Sequence, residues 1–183
     1  MTSELVAGRQ ATGPATHAAT PVAADDPRLD AWRSLIQAHA RLTRTMDDEL
    51  QAAHHLSLAE YDALLQLVNA PGRRLRMSAL ADRVLLSRSG ITRLVDRLVA
   101  AGMVERSQCS TDARGAEAAL TPAGHERLRA ASATHLDGVG RLFLDVVDPA
   151  DRAAVQRAMD RVIANLGGPN GTEHECTPGT GQA

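Results

Sequence analysis

The chain has 183 residues, a net charge of −2 and 44% hydrophobic residues, which is typical of one globular domain with tails. Aromatic residues make up only 2%, so the core must consist of Leu, Val, Ile and Ala, which favours packed helices over an aromatic-rich β-sandwich. The sequence predicts no membrane span and no secretory signal. We therefore expect a cytoplasmic protein, and its two cysteines, Cys109 and Cys176, predict no disulfide framework.

Positive charge is concentrated in one part of the chain. There is no lysine, and residues 73–114 hold nine arginines against four acidic residues, a net charge of +5 that leaves −7 for the rest. Such a basic segment within an acidic chain is typical of a surface that binds a polyanion, although a solvated arginine-rich surface has the same composition.

The first ordered element expected is a long helix. Apolar residues recur every three or four positions over about 28–54, the period of an amphipathic helix. We assign residues 28–56 to dimerisation. The flanking segments, 1–27 and 167–183, are rich in small residues, Pro and Gly, and we expect a disordered arm and tail.

Capping signals predict three helices after this one. Ser57-Leu-Ala-Glu60 is a capping box, and Pro71-Gly72 ends the helix that it begins. Ser78 is expected to cap a short helix, and Ser87 the next, which ends before a glycine at position 102. Two helices joined by a tight turn at Leu85-Leu86 form a helix-turn-helix.

The period then changes from helical to extended. Residues 103–106 and 116–120 are expected to be two strands of a β-hairpin, because the segment between them is rich in turn residues. Thr121-Pro122 and Asp148-Pro149 predict two closing helices over 121–166. The fold class is thus mainly α with a small β-hairpin wing, and residues 57–120 form a winged helix-turn-helix lobe.

The helix that begins at Ser87 is the predicted recognition helix. The first turns of such a helix enter the major groove, where an arginine can bind guanine O6 and N7. The expected contacts from this helix are Ser87, Arg88, Ser89, Thr92, Arg93 and, one turn further on, Arg97. Before the short helix, Arg73, Arg74 and Arg76 are expected to contact phosphates.

The hairpin tip offers a second contact. Asp112-Ala-Arg114-Gly115 is expected there. A single arginine at a hairpin tip can enter the minor groove, where the potential is most negative. Asp112 is close enough in sequence to orient Arg114, whereas Asp and Gly are also common in plain turns.

Two motifs in the chain resemble those of the MarR (multiple antibiotic resistance regulator) family. Asp112-x-Arg114-Gly115 followed by Leu120-Thr121-Pro122-x-Gly124 is similar to its wing-to-helix signature, and residues 80–98 are similar to its helix-turn-helix. The resemblance covers about 28–166. It implies a cytoplasmic homodimer whose first, fifth and sixth helices interlock and whose two lobes bind double-stranded DNA at a pseudo-palindromic operator, most simply as a repressor.

The same resemblance implies a ligand that tunes DNA affinity, bound between the dimerisation helices and the lobe. The residues expected to line this pocket are Trp32, Arg33, Ile36, His39 and Tyr61. Trp32 and Tyr61 can sandwich a flat ring, and His39 or Arg33 can pair with a carboxylate or phenolate. We therefore expect an aromatic acid or phenol as the releasing ligand, although side chains at helical spacing can equally form core.

Two alternatives stay open from the sequence. Cys109 is in the wing near Arg106 and could act as a redox sensor, because a nearby cation favours the thiolate. The helices could instead form a dimerisation module whose arginines bind a protein partner. No His pair at i,i+4 is present, and no catalytic constellation stands out, so we expect neither a metal, a cofactor nor an enzyme.

Overall fold

The computed structural model describes residues 22–109 and 112–166, of which 108, 109 and 112–115 are described by their backbone alone. The α-helices of this part of the chain are α1 (Leu29–His54), α2 (Leu58–Val68), α3 (Met77–Val84), α4 (Arg88–Ala100), α5 (Pro122–Val139) and α6 (Pro149–Asn165). The strands are β1 (Arg74–Arg76), β2 (Val104–Cys109) and β3 (Asp112–Leu120). The predicted fold class, mainly α with a β wing, is confirmed.

The wing contains one more strand than the sequence predicts. The sheet has the order β1-β3-β2, and both pairings are antiparallel. Strand β1 is only three residues long, and its central Leu75 pairs with Ala118 of β3. Both side chains are buried, so the third strand closes the sheet over the apolar core.

The hairpin strands are also longer than predicted. We expected strands over 103–106 and 116–120, but β2 continues to Cys109 and β3 already begins at Asp112, with a bulge at Gln108/Cys109. The added residues are polar or small, so their sequence shows no alternation of apolar side chains that would predict a strand. Asp112 and Arg114 therefore belong to β3 by their backbone.

Most predicted helix starts have the expected caps. The Ser57 and Ser87 hydroxyls accept hydrogen bonds from the Glu60 and Gly90 amides, at 3.2 and 3.1 Å. Thr121 accepts from Gly124 in the same way. The Ser78 prediction is wrong: α3 begins at Met77, two residues before the start that a Ser78 cap implies, with Arg76 in the N-cap position, because strand β1 runs directly into the helix.

Two glycines shape the junctions on either side of the wing. Gly102 follows α4 with φ of 68°, the left-handed C′ conformation predicted for it. Its amide donates to Val99 O and the next amide donates to Leu98 O, which completes a Schellman motif. Gly124 packs so closely on the wing that a Cβ atom there would lie 2.1 Å from the Met103 carbonyl oxygen.

The chain divides into two compact units between Gln37 and Ala38, within α1. In the first unit, the Arg33 guanidinium binds the Asp30 carboxylate at 2.8 Å and the Ala24 carbonyl oxygen at 2.7 Å. The second unit holds the core, whose largest fully buried side chains come from α1, α2, α3, α4, β2 and the connection between α1 and α2, and include Leu50, Leu56, Leu64, Leu67, Leu80, Ile91, Leu94, Leu98 and Val104. None of the described helices has the length and apolar character needed to cross a membrane.

Candidate nucleic-acid interface

Helices α3 and α4 form the predicted helix-turn-helix. The turn is made by Leu85, whose φ of 57° is left-handed, and by the Leu86 amide, which donates to Ala81 O at 2.9 Å. Ile91, Leu94 and Leu98 fix α4 on the core through one buried face. The opposite face of α4 is therefore held in solvent.

The exposed face begins with a group of basic and hydroxyl side chains. Arg88, Ser89, Thr92 and Arg93 are all exposed. The Thr92 hydroxyl donates to Arg88 O at 2.8 Å, which leaves its oxygen able to accept. Neither Arg88 nor Arg93 forms an ion pair with any residue of the described part of the chain. The first half of α4 thus presents two guanidinium groups beside the free amides of a helix N-terminus.

The second half of α4 is tied to the protein instead. Arg97 donates from Nε to Glu60 Oε1 at 2.8 Å. Asp96 forms an ion pair with Arg106 of β2 at 2.9 Å, and the same guanidinium donates to Thr92 O at 3.2 Å. These contacts connect the recognition helix to α2 on one side and to the wing on the other.

The arginines before α3 lie at the edge of the sheet. Arg73 is exposed in a 3₁₀ turn with φ of 56°. Arg74 is also exposed, but its Nη1 lies 4.0 Å from Oε2 of Glu117, a residue that is only 4% exposed. Arg76 is half-buried, and its strand residue pairs in register with Glu117. Part of the positive charge here therefore compensates a buried carboxylate.

The wing side chains of the sequence prediction lie outside the described residues. Only the backbone is described at Asp112, Arg114 and Cys109, and Cys109 pairs with Asp112 across the hairpin. The minor-groove role of Arg114, the orienting role of Asp112 and the redox role of Cys109 stay predictions.

A cavity of about 630 Å³ lies between α1, α2, α3 and α5 in the second unit. Its wall includes two of the predicted ligand residues, His39 and Tyr61, together with Arg44, Asp47, Asp62 and His135. The rings of Tyr61 and His135 are stacked, with centroids 4.4 Å apart. Trp32, Arg33 and Ile36 belong to the first unit, so their part in a ligand site stays a prediction.

Polar groups in this wall are held in specific states. Burial lowers the pKa of His135, an effect that the nearby Asp62 carboxylate partly opposes. The imidazole is therefore neutral near pH 7. Asp47 accepts a hydrogen bond from the Leu58 amide at 2.7 Å, and the Tyr61 hydroxyl donates to Ser132 at 3.4 Å.

Comparisons with known proteins match this architecture. A sequence model of the MarR family matches residues 54–115. The crystal structure of Sco3205, a MarR family transcriptional regulator from Streptomyces coelicolor in complex with DNA, is 32% identical, with 81% of this chain and 91% of that chain covered and a TM-score of 0.74. The chain belongs to the MarR family of transcriptional regulators.

Two further MarR family structures extend the comparison. AbsC from Streptomyces coelicolor is 31% identical, with 80% of this chain and 98% of that chain covered and a TM-score of 0.73. A mutant of MarR from E. coli is 20% identical, with 72% of this chain and 95% of that chain covered and a TM-score of 0.59, a likeness of fold. No curated protein matched by sequence. As a MarR family transcriptional regulator, the protein is not an enzyme.

Apolar side chains remain exposed on both parts of this MarR family chain. In the first unit these are Val22, Trp32, Leu35 and Ile36. In the second unit, α6 has no buried residue, and the exposed apolar side chains of the last two helices and their connection are Leu136, Leu144, Val146, Val155, Val162, Ile163 and Leu166. Apolar faces of this kind are typical of a protein–protein interface.

The sequence missed two parts of this MarR family site. Glu60 was predicted only as a capping residue, and its ion pair with Arg97 spans 37 positions, which local patterns cannot reveal. His135 lies in the helix that Thr121-Pro122 predicts, and only the packing of α5 on α2 brings it against Tyr61.

Proposed function

We propose that this MarR family regulator binds double-stranded DNA through the N-terminal half of α4. The observation that supports this most strongly is the position of Arg88 and Arg93, exposed and without an ion-pair partner in the described chain, at the start of a helix whose opposite face is buried. A related protein, Sco3205, was crystallised with DNA and is 32% identical to this chain. The exposed, basic start of α4 in this chain therefore agrees with DNA binding by that relative.

Each exposed group of α4 has a stated role in the proposal. Arg88 reads a guanine through O6 and N7, and Arg93 contacts base or backbone. Ser87, Ser89 and Thr92 bind phosphates or base edges together with the free amides at the helix start. Both arginine hydrogen-bond donors and serine hydroxyls are common in such contacts.

The flanking contacts come from the wing and its edge. Arg114 enters the minor groove and Asp112 orients it. Arg73 and Arg74 bind phosphates from the loop before α3, and Arg76 supports them. Because Arg74 also lies near buried Glu117, we expect its contribution to DNA affinity to be smaller than that of Arg73.

We further propose that the protein acts as a homodimeric repressor on a pseudo-palindromic operator. Helix α6 buries no residue against the described part of its own chain, and its exposed Val155, Val162 and Ile163 need a partner surface. A second copy supplies such a surface by symmetry, and two lobes then address two half-sites.

A small phenol or aromatic acid in the cavity beside Tyr61 is the proposed releasing ligand. The stacked Tyr61 and His135 rings offer a flat apolar wall. His39 and Arg44 are exposed and can bind a phenolate or carboxylate, whereas the half-buried Asp47 and Asp62 repel anions. A phenol therefore fits this wall better than an acid, and it must favour the dimer conformation that misfits DNA.

Selection of bound duplexes from a random pool tests the proposal. The expected result is an enriched pseudo-palindrome, bound by a dimer whose affinity falls steeply with salt because phosphate contacts release counterions. Phenols and benzoic acids are then titrated while Trp32 fluorescence and release of labelled duplex are followed. Release by an oxidant that depends on Cys109, with no release by any aromatic compound, would replace the ligand by a redox signal.

A further inference from the structure

The ion pair between Arg97 and Glu60 joins the recognition helix to α2. Arg97 Nε lies 2.8 Å from Glu60 Oε1, and its Nη1 donates to Arg93 O at 3.4 Å. The guanidinium is thus directed back along its own helix and onto a carboxylate of the protein. Its charge is already compensated before any DNA arrives.

Glu60 is held in place by its own helix start. Its second oxygen, Oε2, accepts a hydrogen bond from the Ser57 amide at 3.0 Å, while its amide donates to the Ser57 hydroxyl at 3.2 Å. The side chain is only 12% exposed, against 59% for Arg97. The Glu60 carboxylate is therefore held in one position, and the more exposed Arg97 side chain extends to it.

The charge state of Glu60 favours a permanent pair. Burial raises the pKa of Glu60, but the hydrogen bonds from Arg97 and Ser57 outweigh this and place the pKa below its ordinary value. Glu60 is consequently ionised over the whole neutral range. Its neighbours Ala59 and Tyr61 line the cavity, so the ion pair connects α2, one of the helices of the cavity wall, with α4.

Arg97 differs from the other arginines of α4 in this respect. Arg88 and Arg93 have no ion-pair partner among the described residues, whereas Arg97 and Asp96, in the second half of α4, are paired with Glu60 and Arg106. The helix thus separates charges that are available to DNA from charges that hold it to the lobe.

We propose that Glu60 is a positioning residue for the recognition helix and that Arg97 serves this pair instead of a phosphate. The pair fixes the angle at which the first half of α4 meets the groove. This inference rests on the proposed DNA binding, and it assigns Arg97 a role different from the backbone contact expected from sequence.

Three variants test the proposal: Glu60→Gln, Arg97→Gln and the double substitution. Glu60→Gln keeps a side chain that can accept the capping hydrogen bond from Ser57 and removes only the charge. Each variant is titrated against a selected duplex and a random duplex at several salt concentrations. Arg129→Gln is the matched control for Arg97→Gln, because Arg129 forms an exposed pair with Glu126 on α5 and its loss changes the net charge equally.

The expected result is a loss of affinity for the selected duplex of about two- to fivefold in either single variant, as for a partly exposed ion pair. The double variant loses no more than the larger single loss, because both act through one contact. Both single variants keep the parent's affinity for the random duplex and its salt dependence. The Arg129→Gln control binds both duplexes like the parent.

Other outcomes overturn the proposal. If the slope of log affinity against log salt concentration becomes shallower by about 0.9 in Arg97→Gln, and affinity falls equally for both duplexes, Arg97 is a phosphate contact. Unchanged affinity of both single variants shows that the pair positions nothing. If Glu60→Gln does not fold, the specificity and salt dependence of Arg97→Gln decide alone. If the parent protein binds no duplex, the proposed DNA binding is wrong as well. If the parent binds and the variants bind like the parent, only this inference is wrong.

Discussion

Arg106 of the wing lies 2.9 Å from Asp96 of the recognition helix and also donates to the Thr92 carbonyl oxygen. Strand β2 and helix α4 are thereby connected by a contact that spans the Schellman turn at Gly102. The wing and the recognition helix therefore keep a fixed spacing, which matters because they address adjacent grooves in the proposed complex.

This contact contributes little to stability by its charge. The Asp96 and Arg106 side chains are 57% and 35% exposed, so we expect a coupling free energy below about 1 kcal/mol. Arg106→Ala should destabilise more than Asp96→Ala, because Arg106 also binds Thr92 O. Urea unfolding of both single variants and the double variant gives the coupling directly. A coupling above about 2 kcal/mol, well beyond the range of exposed pairs, contradicts this view.

The wing prediction concerns Arg114. Arg114→Ala should weaken operator binding and leave the melting temperature unchanged, since an arginine near the start of β3, close to the end of the hairpin, is expected to act on DNA rather than on the fold. Asp112→Ala should act in the same direction if it orients Arg114. Fluorescence anisotropy and thermal unfolding measure the two effects. Parent-like binding by both variants would show that the wing does not engage DNA.

Gly124 is expected to accept no side chain. A Cβ atom there would lie 2.1 Å from the Met103 carbonyl oxygen, which already accepts a hydrogen bond from the Thr121 amide. Gly124→Ala should therefore destabilise the protein by about 3 kcal/mol or more, because backbone must move. Gly140→Ala is the control: nothing in the described structure lies within 4 Å of its added Cβ, and its effect should stay within about 1 kcal/mol. Equal stability of the two variants would contradict the close approach of α5 to the wing.

Leu85 offers a test of backbone strain in the helix-turn-helix. It is 90% exposed and adopts a left-handed φ of 57°, a region that glycine enters without penalty. Leu85→Gly should raise the free energy of unfolding by up to about 1 kcal/mol, the strain relieved being partly offset by a more flexible unfolded chain. Leu86→Gly, which removes a side chain packed on the core, should instead destabilise. Destabilisation by Leu85→Gly would mean that the exposed leucine makes a stabilising contact.

Much of the fold could be predicted from short local patterns in the sequence. Ser57, Ser87 and Thr121 could be recognised as caps because each interacts with an amide three positions further on. The glycine after α4 was equally predictable from its place behind an apolar period. Each of these features depends on a few residues that are close together in the chain, so the sequence alone is enough to predict it.

Contacts between distant residues could not be predicted in this way. Strand β1 is too short to show a period, and it exists because Leu75 finds Ala118 on β3. Glu60 could be assigned as a cap but not as the partner of Arg97, and the cavity wall needed the packing of His135 on Tyr61. Each of these contacts is a product of tertiary packing, which the local pattern does not encode.

The most direct test of the account is the binding of parent and Arg88→Ala to the selected and random duplexes across a range of salt. We expect the parent to prefer the selected duplex and to lose affinity steeply as salt rises. Arg88→Ala should cost about 1–3 kcal/mol on the selected duplex and much less on the random one, because a base contact carries specificity. Equal losses on both duplexes would make Arg88 a phosphate contact only, and a parent whose affinity does not depend on salt would contradict DNA recognition by the N-terminal half of α4.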